Sequence, residues 1–435
     1  MGLEEYKSQM ERCSRCSLCK WVPIMQVKNW RFAQNCPSIL KYNFHAYSAG
    51  GKIIAALGLL ENRFELNDEF VDIVYRCSMD GACGVSCKNI MSTGIIDSME
   101  ILHELRVKLF NDGRIPKRHK ELVSDVEKYD NPYKEPKEKR SKWAEGLDIK
   151  DLTREKAEVL YYVGCTAAYR TPSNAKNTAR ILELAGVDFG ILGENEICCA
   201  STPYKIGATG LFEKYARKNI KTFNDLDVKT IVTQCAGCYH MLKVEYPKIG
   251  KINAEVLHIS EYITRLMEEG KIKFTQEVPL KVTWHDPCHL GRLGEPTIPW
   301  EGKMVKAFGQ ALLFDPPKKV NYGLGGVYEP PRNILRNIPG VDFVEMVRIR
   351  EYSFCCAAGG GVRAAYPELS RFAGEERIEE AKTTGAEALV TCCPFCELNF
   401  GETIEEKKEK IKLHDLTELV LQAMGEKSYK LEIER

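Results

Sequence analysis

Ten of the eighteen cysteines in this 435-residue chain form a five-cysteine pattern that occurs twice. In each copy a single cysteine precedes an adjacent pair, and two cysteines separated by two residues complete the set: Cys165, Cys198, Cys199, Cys235 and Cys238 in the first copy, and Cys288, Cys355, Cys356, Cys393 and Cys396 in the second. Five thiolates exceed the four that a tetrahedral zinc ion or a cubane iron–sulfur cluster requires. The pattern indicates a polynuclear iron–sulfur centre of unusual shape, present in duplicate.

A further group of cysteines near the N-terminus has the spacing of a ferredoxin. Cys13, Cys16 and Cys19 follow the C-x2-C-x2-C opening of a [4Fe–4S] motif, and Cys36 precedes Pro37 in the manner of a displaced closing Cys-Pro. Zinc is a weaker interpretation of this spacing. The pattern predicts cubane-type [4Fe–4S] clusters in this part of the chain.

A second run extends the two-cluster pattern but lacks one cysteine. It begins at Cys77, has Asp80 at its second position, and continues with Cys83 and Cys87. In two-cluster ferredoxins the fourth cysteine of each run serves the other cluster. We therefore expect the first cluster to be held by Cys13, Cys16, Cys19 and Cys87, and the second by Cys36, Cys77, Asp80 and Cys83.

The role of Asp80 has two interpretations. A carboxylate is a harder ligand than a thiolate, so a cluster that Asp80 ligates would be labile, would have a shifted potential, or would be a three-iron form. In the alternative, Asp80 caps a turn and the second cluster lacks its fourth ligand. The spacing does not decide between them.

Net charge, hydropathy and the N-terminal sequence limit the classes of protein to which the chain can belong. The N-terminal sequence MGLEEYKSQM is polar and acidic and has no feature of a signal peptide, so the cysteines favour metal binding over disulfides. A net charge of +1 indicates neither nucleic acid nor an anionic membrane as a partner. The longest apolar run, residues 53–60, is too short to span a bilayer. We expect a cytoplasmic protein that reaches a membrane only through a partner.

The first 127 residues predict a mostly helical, ferredoxin-like two-cluster domain. Apolar periodicity indicates helices over residues 52–75 and 98–111. Residues 128–154 are rich in lysine and glutamate and predict a solvated linker rather than a basic binding patch.

From residue 155 onward, short apolar strands alternate with helical stretches, which is typical of parallel α/β layers. We predict a first Rossmann-like cysteine-rich domain over residues 155–278 and a second over residues 279–435. Most of the predicted strands end close to a cysteine, and ligand sites collect at the carboxyl ends of parallel strands. These strands are 158–163, 229–233, 255–258, 281–285, 342–346 and 386–391, and a helix is predicted over 174–186.

The second copy contains an insertion over about residues 293–326, between its first cysteine and its cysteine pair. The segment is rich in proline and glycine and predicts a long excursion at the surface. Loops of this length in compact domains are usually functional or mobile. A partner contact, a lid and a tolerated surface insertion are all consistent with it.

Several residues beside the cysteines are candidates for further roles. His285 and His289 flank Cys288 and are the candidate catalytic proton donors, because reduction of a disulfide consumes protons; in the alternative, each binds backbone in a turn. His240 has weaker grounds. Cys392 is either a packing thiol or an alternative ligand. The glycine run at 359–361 lets the backbone approach a bulky group, and no phosphate-binding motif accompanies it.

Four motifs carry a resemblance to a known family: HDPCHLGR at 285–292, GVYEPPR at 326–332, CCAAGGG at 355–361 and CCPFC at 392–396. They resemble the cysteine-rich domain pair of heterodisulfide reductase catalytic subunits. With its ferredoxin-like segment, the whole chain is similar to the fused, D-type form of that subunit, in which a ferredoxin-like part and the catalytic part share one chain.

The resemblance implies two non-cubane [4Fe–4S] clusters, one in each five-cysteine set, in addition to the two cubane-type clusters. In the heterodisulfide reductases a disulfide is cleaved between the two non-cubane clusters. Related chains are iron–sulfur subunits of larger assemblies, which implies a flavoprotein, a membrane cytochrome b or a tungsten oxidoreductase as the partner.

The chain departs from the family pattern at Ala200 and Ala357, where a glycine usually follows the cysteine pair. These changes, the insertion and the lack of a flavin or quinone motif favour an electron-transfer subunit of a larger oxidoreductase. The alternative function is that of a catalytic subunit that reduces a disulfide between the two non-cubane clusters.

Overall fold

The computed structural model describes residues 2–91, 94–296, 298–309 and 311–434. Its N-terminal part is helical, as the sequence predicts. The helices of this part are α1 (Lys7–Glu11), α2 (Pro37–Tyr42), α3 (Ala49–Leu60), α4 (Asp68–Tyr75), α5 (Ala82–Met91), α6 (Ser98–Asn111) and α7 (Lys117–Tyr129).

Helix α6 has the bounds that its apolar periodicity predicts. Its buried face includes Ile101, Leu105 and Leu109, and Asp97 caps its first turn by accepting a hydrogen bond from the Glu100 N–H. The predicted helix over 52–75 is wrong in one respect, since the structure divides it into α3 and α4. Asn67 explains the break, because its side chain accepts from the Phe70 N–H and starts a new helix.

The first α/β unit is built on five parallel strands in the order β1-β3-β2-β4-β5. The strands are β1 (Lys150–Asp151), β2 (Val159–Tyr161), β3 (Phe189–Ile191), β4 (Thr230–Thr233) and β5 (Glu255–His258). The helices are α8 (Cys165–Tyr169), α9 (Pro172–Leu184), α10 (Ser201–Ile206), α11 (Thr209–Leu226), α12 (Ala236–His240) and α13 (Ile259–Glu268).

The second unit has four parallel strands in the order β11-β10-β6-β9, and a separate antiparallel pair, β7 and β8. The strands are β6 (Leu280–Trp284), β7 (Lys303–Ala307), β8 (Ala311–Asp315), β9 (Val341–Val344), β10 (Ala388–Thr391) and β11 (Lys412–Asp415). The helices are α14 (Glu329–Asn337), α15 (Val362–Ala365), α16 (Pro367–Lys382), α17 (Pro394–Lys407) and α18 (Leu416–Ala423).

The two sheets repeat one topology. In each, the first main strand (β2 or β6) lies between the second and the third, and the fourth pairs with the third at an edge. The structure confirms the predicted α/β class with parallel layers, and the six predicted strands are present. The strands β1, β3, β11 and the β7–β8 hairpin are additional to them.

The expectation of a solvated linker over residues 128–154 is wrong for part of that segment. Asn131, Arg140 and Trp143 are buried, and β1 adds a strand to the first sheet. Trp143 supplies the physical reason, because its ring packs against Tyr161 on β2 in an edge-to-face contact with ring centroids 6.0 Å apart. Most lysines and glutamates between these positions are exposed, so the sequence of the segment gives no indication of its buried residues.

The insertion at 293–326 forms the exposed β7–β8 hairpin and then returns to the body of the protein. On its return it packs against the N-terminal helices, since a Cβ on Gly323 would lie 2.8 Å from Val85. The hairpin itself agrees with the expected surface excursion.

One buried side chain joins the three parts of the molecule. Arg106 of α6 donates to the carbonyls of Lys205 and Gly360, each at 2.9 Å, and to that of Cys77 at 2.6 Å. Those carbonyls belong to the first α/β unit, the second unit and the N-terminal part. None of the helices in the described ranges has the length and hydropathy that crossing a bilayer requires.

Candidate iron–sulfur sites

The cysteines of the first set lie at the carboxyl ends of neighbouring strands. Cys165 begins α8 after β2, Cys235 and Cys238 begin α12 after β4, and the pair Cys198-Cys199 precedes α10. Gly164 has a φ of 77°, and a Cβ there would lie 3.0 Å from the Cys238 sulfur. The backbone before Cys165 is thus shaped to leave room for sulfur atoms.

The second set repeats this placement and brings its sulfurs close together. Cys288 follows β6 and Cys393 follows β10. The sulfurs of Cys288 and Cys355 are 3.6 Å apart, and those of Cys356 and Cys396 are 3.4 Å apart. Five thiols at contact distance within a buried pocket are suited to a polynuclear metal centre.

Ala200 and Ala357, the two departures from the family pattern, have the same backbone conformation. Their φ angles are 58° and 56°, in the left-handed region that favours glycine. In this conformation the Ala200 N–H donates to the Cys198 sulfur at 3.3 Å, and the Ala357 N–H donates to the Cys355 sulfur at 3.2 Å. The backbone at both positions is set to stabilise a thiolate two residues earlier.

All ten cysteines of the two sets line one cavity of about 280 Å³. The two sets meet through Cys235 and Cys393, whose thiols interact directly; this contact lowers the pKa of Cys393 well below its usual value. Among the described residues that line the cavity, the charged side chains are Arg118, Lys205 and Arg363, and none is a carboxylate. The cavity is therefore lined by sulfur from both sites and by three basic side chains.

Cys392 is not part of that cavity. It is fully buried, its thiol faces Gln234, and burial raises its pKa well above the usual value. Of the two interpretations, the structure supports a packing thiol rather than an alternative ligand.

His289 lies at the cavity, as a candidate proton donor should. Its Nδ1 is 3.2 Å from the Cys288 sulfur, and its Nε2 has no partner among the described residues. Burial lowers the pKa of His289 well below its usual value, so the ring is neutral. Its edge contacts the ring of His240, whose Nε2 lies 3.3 Å from both Lys205 Nζ and Glu245 Oε1.

His285 is placed differently and does not line the cavity. It is fully buried, and its Nδ1 accepts a hydrogen bond from Arg377 Nε at 3.2 Å, so the proton of the neutral ring is on Nε2. A ring nitrogen of His285 lies within 4.8 Å of the Cys356 and Cys396 sulfurs, and Nε2 has no other partner among the described residues. The role of His285 as a catalytic proton donor stays a prediction.

The N-terminal cysteines form two neighbouring groups. The charges of Cys13, Cys16 and Cys19 raise the pKa of Cys87, after burial, to about 12. The pKa of Cys83 is raised by burial and then by the nearest charges, of which the first is Cys77; Cys36 also contributes. Cys87 therefore interacts with the first three cysteines, and Cys83 with Cys77 and Cys36; the assignment of these residues to two clusters stays a prediction.

Asp80 lies beside the second of these groups, but its carboxylate already has partners. Oδ1 accepts from the Ala82 N–H at 2.9 Å and from Arg292 Nη2 at 3.0 Å, and Oδ2 accepts from the Ser78 hydroxyl. This is a turn cap combined with a buried ion pair. These contacts agree with the turn-capping interpretation, and iron ligation by Asp80 stays a prediction.

The glycine run 359–361 provides close contact between two sites. A Cβ on Gly360 would lie 2.7 Å from the backbone of Ser78 and 2.8 Å from the carbonyl of Cys77. The second N-terminal group therefore packs directly on the segment that follows Cys355-Cys356. With the ion pair between Arg292 and Asp80, this contact joins the N-terminal part to the second five-cysteine site.

Arg140, which sequence reasoning did not single out, belongs to the first site. Its guanidinium lies 3.5 Å from the Cys165 sulfur and 2.6 Å from Glu196, and Glu196 accepts from the N–H groups of Val163 and Gly164 at 2.9 Å. The charges of Cys165 and Glu196 raise the pKa of Arg140 despite its burial. In the sequence Arg140 stands among surface lysines and glutamates, which gives no indication of its role, because only the fold brings it to Cys165.

Comparison with known proteins agrees with this architecture. The cysteine-rich domain family matches residues 159–243 and 282–401, and the 4Fe-4S dicluster domain family matches residues 9–90. Together with the cysteine geometry, these matches define an iron–sulfur oxidoreductase subunit with a role in electron transfer.

Similarity to individual proteins identifies the family more closely. The D subunit of the dihydromethanophenazine:CoB–CoM heterodisulfide reductase of Methanosarcina mazei is 31% identical over 96% of this chain and 94% of its own length. The chain belongs to the family of these heterodisulfide reductase D subunits. The probable iron-sulfur-binding oxidoreductase FadF of Bacillus subtilis is 30% identical, and the EtfAB:quinone oxidoreductase of Syntrophomonas wolfei is 28% identical. This chain spans 54% and 47% of those two proteins, respectively.

Proposed function

We propose that this chain relays electrons within a larger oxidoreductase, between two cubane-type [4Fe–4S] clusters and two non-cubane [4Fe–4S] clusters. Iron–sulfur clusters, when bound, take up and release single electrons. The cubane-type clusters would be held by the two N-terminal cysteine groups, with Cys36, Cys77 and Cys83 as the thiolates of the second. The non-cubane clusters would be held by Cys165, Cys198, Cys199, Cys235 and Cys238, and by Cys288, Cys355, Cys356, Cys393 and Cys396.

The observation that carries this proposal is the continuous series of cysteine groups. Cys83 is close to both N-terminal groups, since the charges of Cys19 and Cys36 both act on its pKa. The Cys77 backbone packs on Gly360 beside the second five-cysteine set, and the Cys393 thiol interacts with the Cys235 thiol of the first, which lowers the pKa of Cys393. Each group therefore has the next one as its neighbour from the N-terminal part to the first α/β unit.

Protein residues surround the two five-cysteine sites. The ten cysteines of the two repeats are all buried, which limits the solvent exposure of the centres they would hold. Backbone N–H groups of Ala200 and Ala357 and the Arg140 guanidinium donate to cysteine sulfur, and a ring nitrogen of His285 lies within 4.8 Å of two cysteine sulfurs. Such donors stabilise negative charge and so tune reduction potentials.

A second candidate function is reduction of a disulfide in the cavity between the two five-cysteine sets. The observation that favours it is the lining of that cavity, in which sulfur from both sets and three basic side chains face one space. Cleavage of a disulfide requires two electrons and two protons and yields two thiols. His289 lines the cavity and is placed to supply a proton, and the neighbouring His240 ring contacts Lys205, which also lines the cavity.

The experiment that tests the relay is anaerobic purification of the native complex, with identification of every subunit and cofactor. We infer other redox subunits as partners: a flavoprotein, a membrane cytochrome b or a tungsten oxidoreductase. A partner with its own substrate site supports the relay. Disulfide-dependent oxidation of the pre-reduced chain, in the absence of any partner, would instead establish the cavity as a catalytic site.

Iron content tests the clusters themselves. The chain prepared without oxygen should contain about sixteen irons if all four clusters have four irons, and fewer if the second N-terminal cluster lacks its fourth ligand. A protein that contains zinc alone would contradict both candidate functions.

A further inference from the structure

The segment around the first N-terminal cysteines has an unusual charge. The chain contains 61 acidic residues, yet residues 12–60 include no aspartate and no glutamate. The same segment has seven basic residues: Arg12, Arg15, Lys20, Lys28, Arg31, Lys41 and Lys52. This part of the surface is therefore strongly positive in a protein whose overall charge is close to neutral.

Four of these basic side chains are available to a partner. Arg31 forms an ion pair with Glu376, whereas Arg12, Arg15, Lys20 and Lys28 have no carboxylate within ion-pair distance among the described residues. Arg12, Arg15 and Lys28 are exposed. An unpaired positive field of this kind attracts an acidic surface and orients it before contact.

Large apolar side chains stand out on the same segment. Met25 is 93% exposed, Trp30 is 71% exposed and Ile24 is 65% exposed, which is uncommon for three large apolar residues so close in sequence. They lie on the loop between Cys19 and Cys36, whose base is fixed by the hydrogen bond from the Val22 N–H to the Ala33 carbonyl. A fixed loop that presents apolar side chains among basic ones has the composition of an interface core with a charged rim.

This surface includes the one cysteine of the eighteen that is exposed, Cys16. The neighbouring Ser17 hydroxyl lies 3.3 Å from His45 Nδ1, next to Phe44, which is itself 63% exposed. A redox centre that Cys16 holds would thus be the closest to solvent in the whole series of cysteine groups.

We propose that residues 12–31, with Phe44, form the docking surface of an acidic one-electron carrier protein, and that electrons pass between that carrier and the chain at Cys16. The proposal rests on the proposed function of the N-terminal cysteines. In the exchange one partner loses one electron and the other gains it, and no bond or proton changes place. An anionic lipid surface would match the charge and the apolar loop, but it has no electron to exchange at Cys16.

The test uses the full chain with its clusters and, as the probe, an acidic bacterial ferredoxin. Arg15→Glu combined with Lys28→Glu reverses two charges on the proposed surface. Lys303→Glu combined with Lys306→Glu is the matched control, because it makes the same change in net charge on the exposed β7–β8 hairpin. Met25→Ser tests the apolar contribution at a side chain that folding does not bury.

At low ionic strength the Arg15/Lys28 variant should bind the oxidised ferredoxin at least tenfold more weakly, as measured by titration calorimetry. It should also be reduced by the pre-reduced ferredoxin at least tenfold more slowly. Both differences should shrink at high salt, since screening removes the charge attraction. The control variant should differ from the wild type by less than about twofold, and Met25→Ser should show the slower reduction at all salt concentrations.

Reduction by dithionite distinguishes failure of the proposed function from failure of the docking proposal. If dithionite reduces no cluster in the wild-type chain, the proposed function fails and the docking surface fails with it. If dithionite reduces the clusters, but the Arg15/Lys28 variant and its control behave alike toward ferredoxin, the docking proposal alone is overturned. The docking proposal would also be overturned if the wild-type chain bound phosphatidylserine vesicles, the Arg15/Lys28 variant did not, and both reacted with ferredoxin at the same rate. That result would assign the surface to a membrane.

Discussion

The two five-cysteine sites have the same strand topology and the same cysteine pattern, but their surroundings differ. The first site has a buried cation, Arg140, at the Cys165 sulfur. The second has two neutral imidazoles, His285 and His289, near its sulfurs, and the backbone of Cys77 and Ser78 packs on Gly360 just after its cysteine pair. The repeat therefore supplies the ligands, whereas residues outside the repeat distinguish the two sites. Because charge and hydrogen bonds at sulfur set cluster potentials, we expect the two centres to have different potentials.

Matched cysteine variants, one in each five-cysteine site, should have the largest effect. Cys198→Ser should remove the first non-cubane cluster and Cys355→Ser the second, each with loss of about four of about sixteen irons. Iron and acid-labile sulfide analysis, with EPR spectra of the remaining centres, measures this. Cys392→Ser is the control and should retain all the iron. Loss of every cluster signal in either variant would show that folding depends on that centre.

Arg140 is the residue that should separate the two sites most clearly. Replacement by glutamine removes a charged donor at Cys165, so reduction of the first site becomes harder. A hydrogen bond to a charged group contributes about 1.5–3 kcal/mol, which corresponds to a decrease of about 60–130 mV for a one-electron couple. An EPR-monitored redox titration measures the potential of each site separately.

Arg140→Lys serves as the control, since it keeps the charge and should retain most of the potential. The glutamine variant should also be less stable by about 3–5 kcal/mol, because Glu196 remains buried without its partner. An equal shift of both sites in the titration would contradict a local effect of Arg140.

His285 should have a smaller effect, confined to the second site. His285→Phe removes a neutral N–H donor near Cys356 and Cys396, and a loss of about 1 kcal/mol lowers the potential by about 40 mV. Tyr162 occupies the matching position three residues before Cys165, but its hydroxyl donates to the Ile197 carbonyl. Tyr162→Phe should therefore leave the first potential unchanged, and a shift of similar size in that variant would refute the role of the His285 N–H.

The smallest effect should be the same at both sites. Ala200→Gly and Ala357→Gly each relieve a left-handed alanine, which should raise the free energy of unfolding by about 0.5–1 kcal/mol. Anaerobic denaturant titration of the two variants measures it. A gain at one site without a gain at the other would mean that side-chain packing, and not backbone strain, decides the preference there.

The regular features of the fold were predictable because they have a period or a fixed spacing. The helix α6 and the parallel strands have simple apolar patterns, and the cysteine groups followed from spacing alone. The division between α3 and α4 depends on a cap at Asn67, and the buried part of the 128–154 segment depends on tertiary contacts of Trp143 and Arg140. Neither has a signal in apolar periodicity.

The cysteines of the site could be identified from the sequence, whereas the contacts of its polar residues could not. Asp80 occupies a ligand position by spacing, yet Arg292, more than two hundred residues later in sequence, pairs with it in the structure. His285 and His289 both flank Cys288, but the first is buried away from the cavity and the second lines it. Such differences arise from side-chain direction, which sequence spacing does not contain.

Arg106 has a consequence for how the series of redox groups is assembled. Its guanidinium needs carbonyl partners from all three parts of the chain at once, and a buried cation without them would be costly. Docking of the three parts is therefore a step of folding and not an association between independent modules. The order of the electron carriers is then independent of protein concentration and is retained at any dilution at which the chain stays folded.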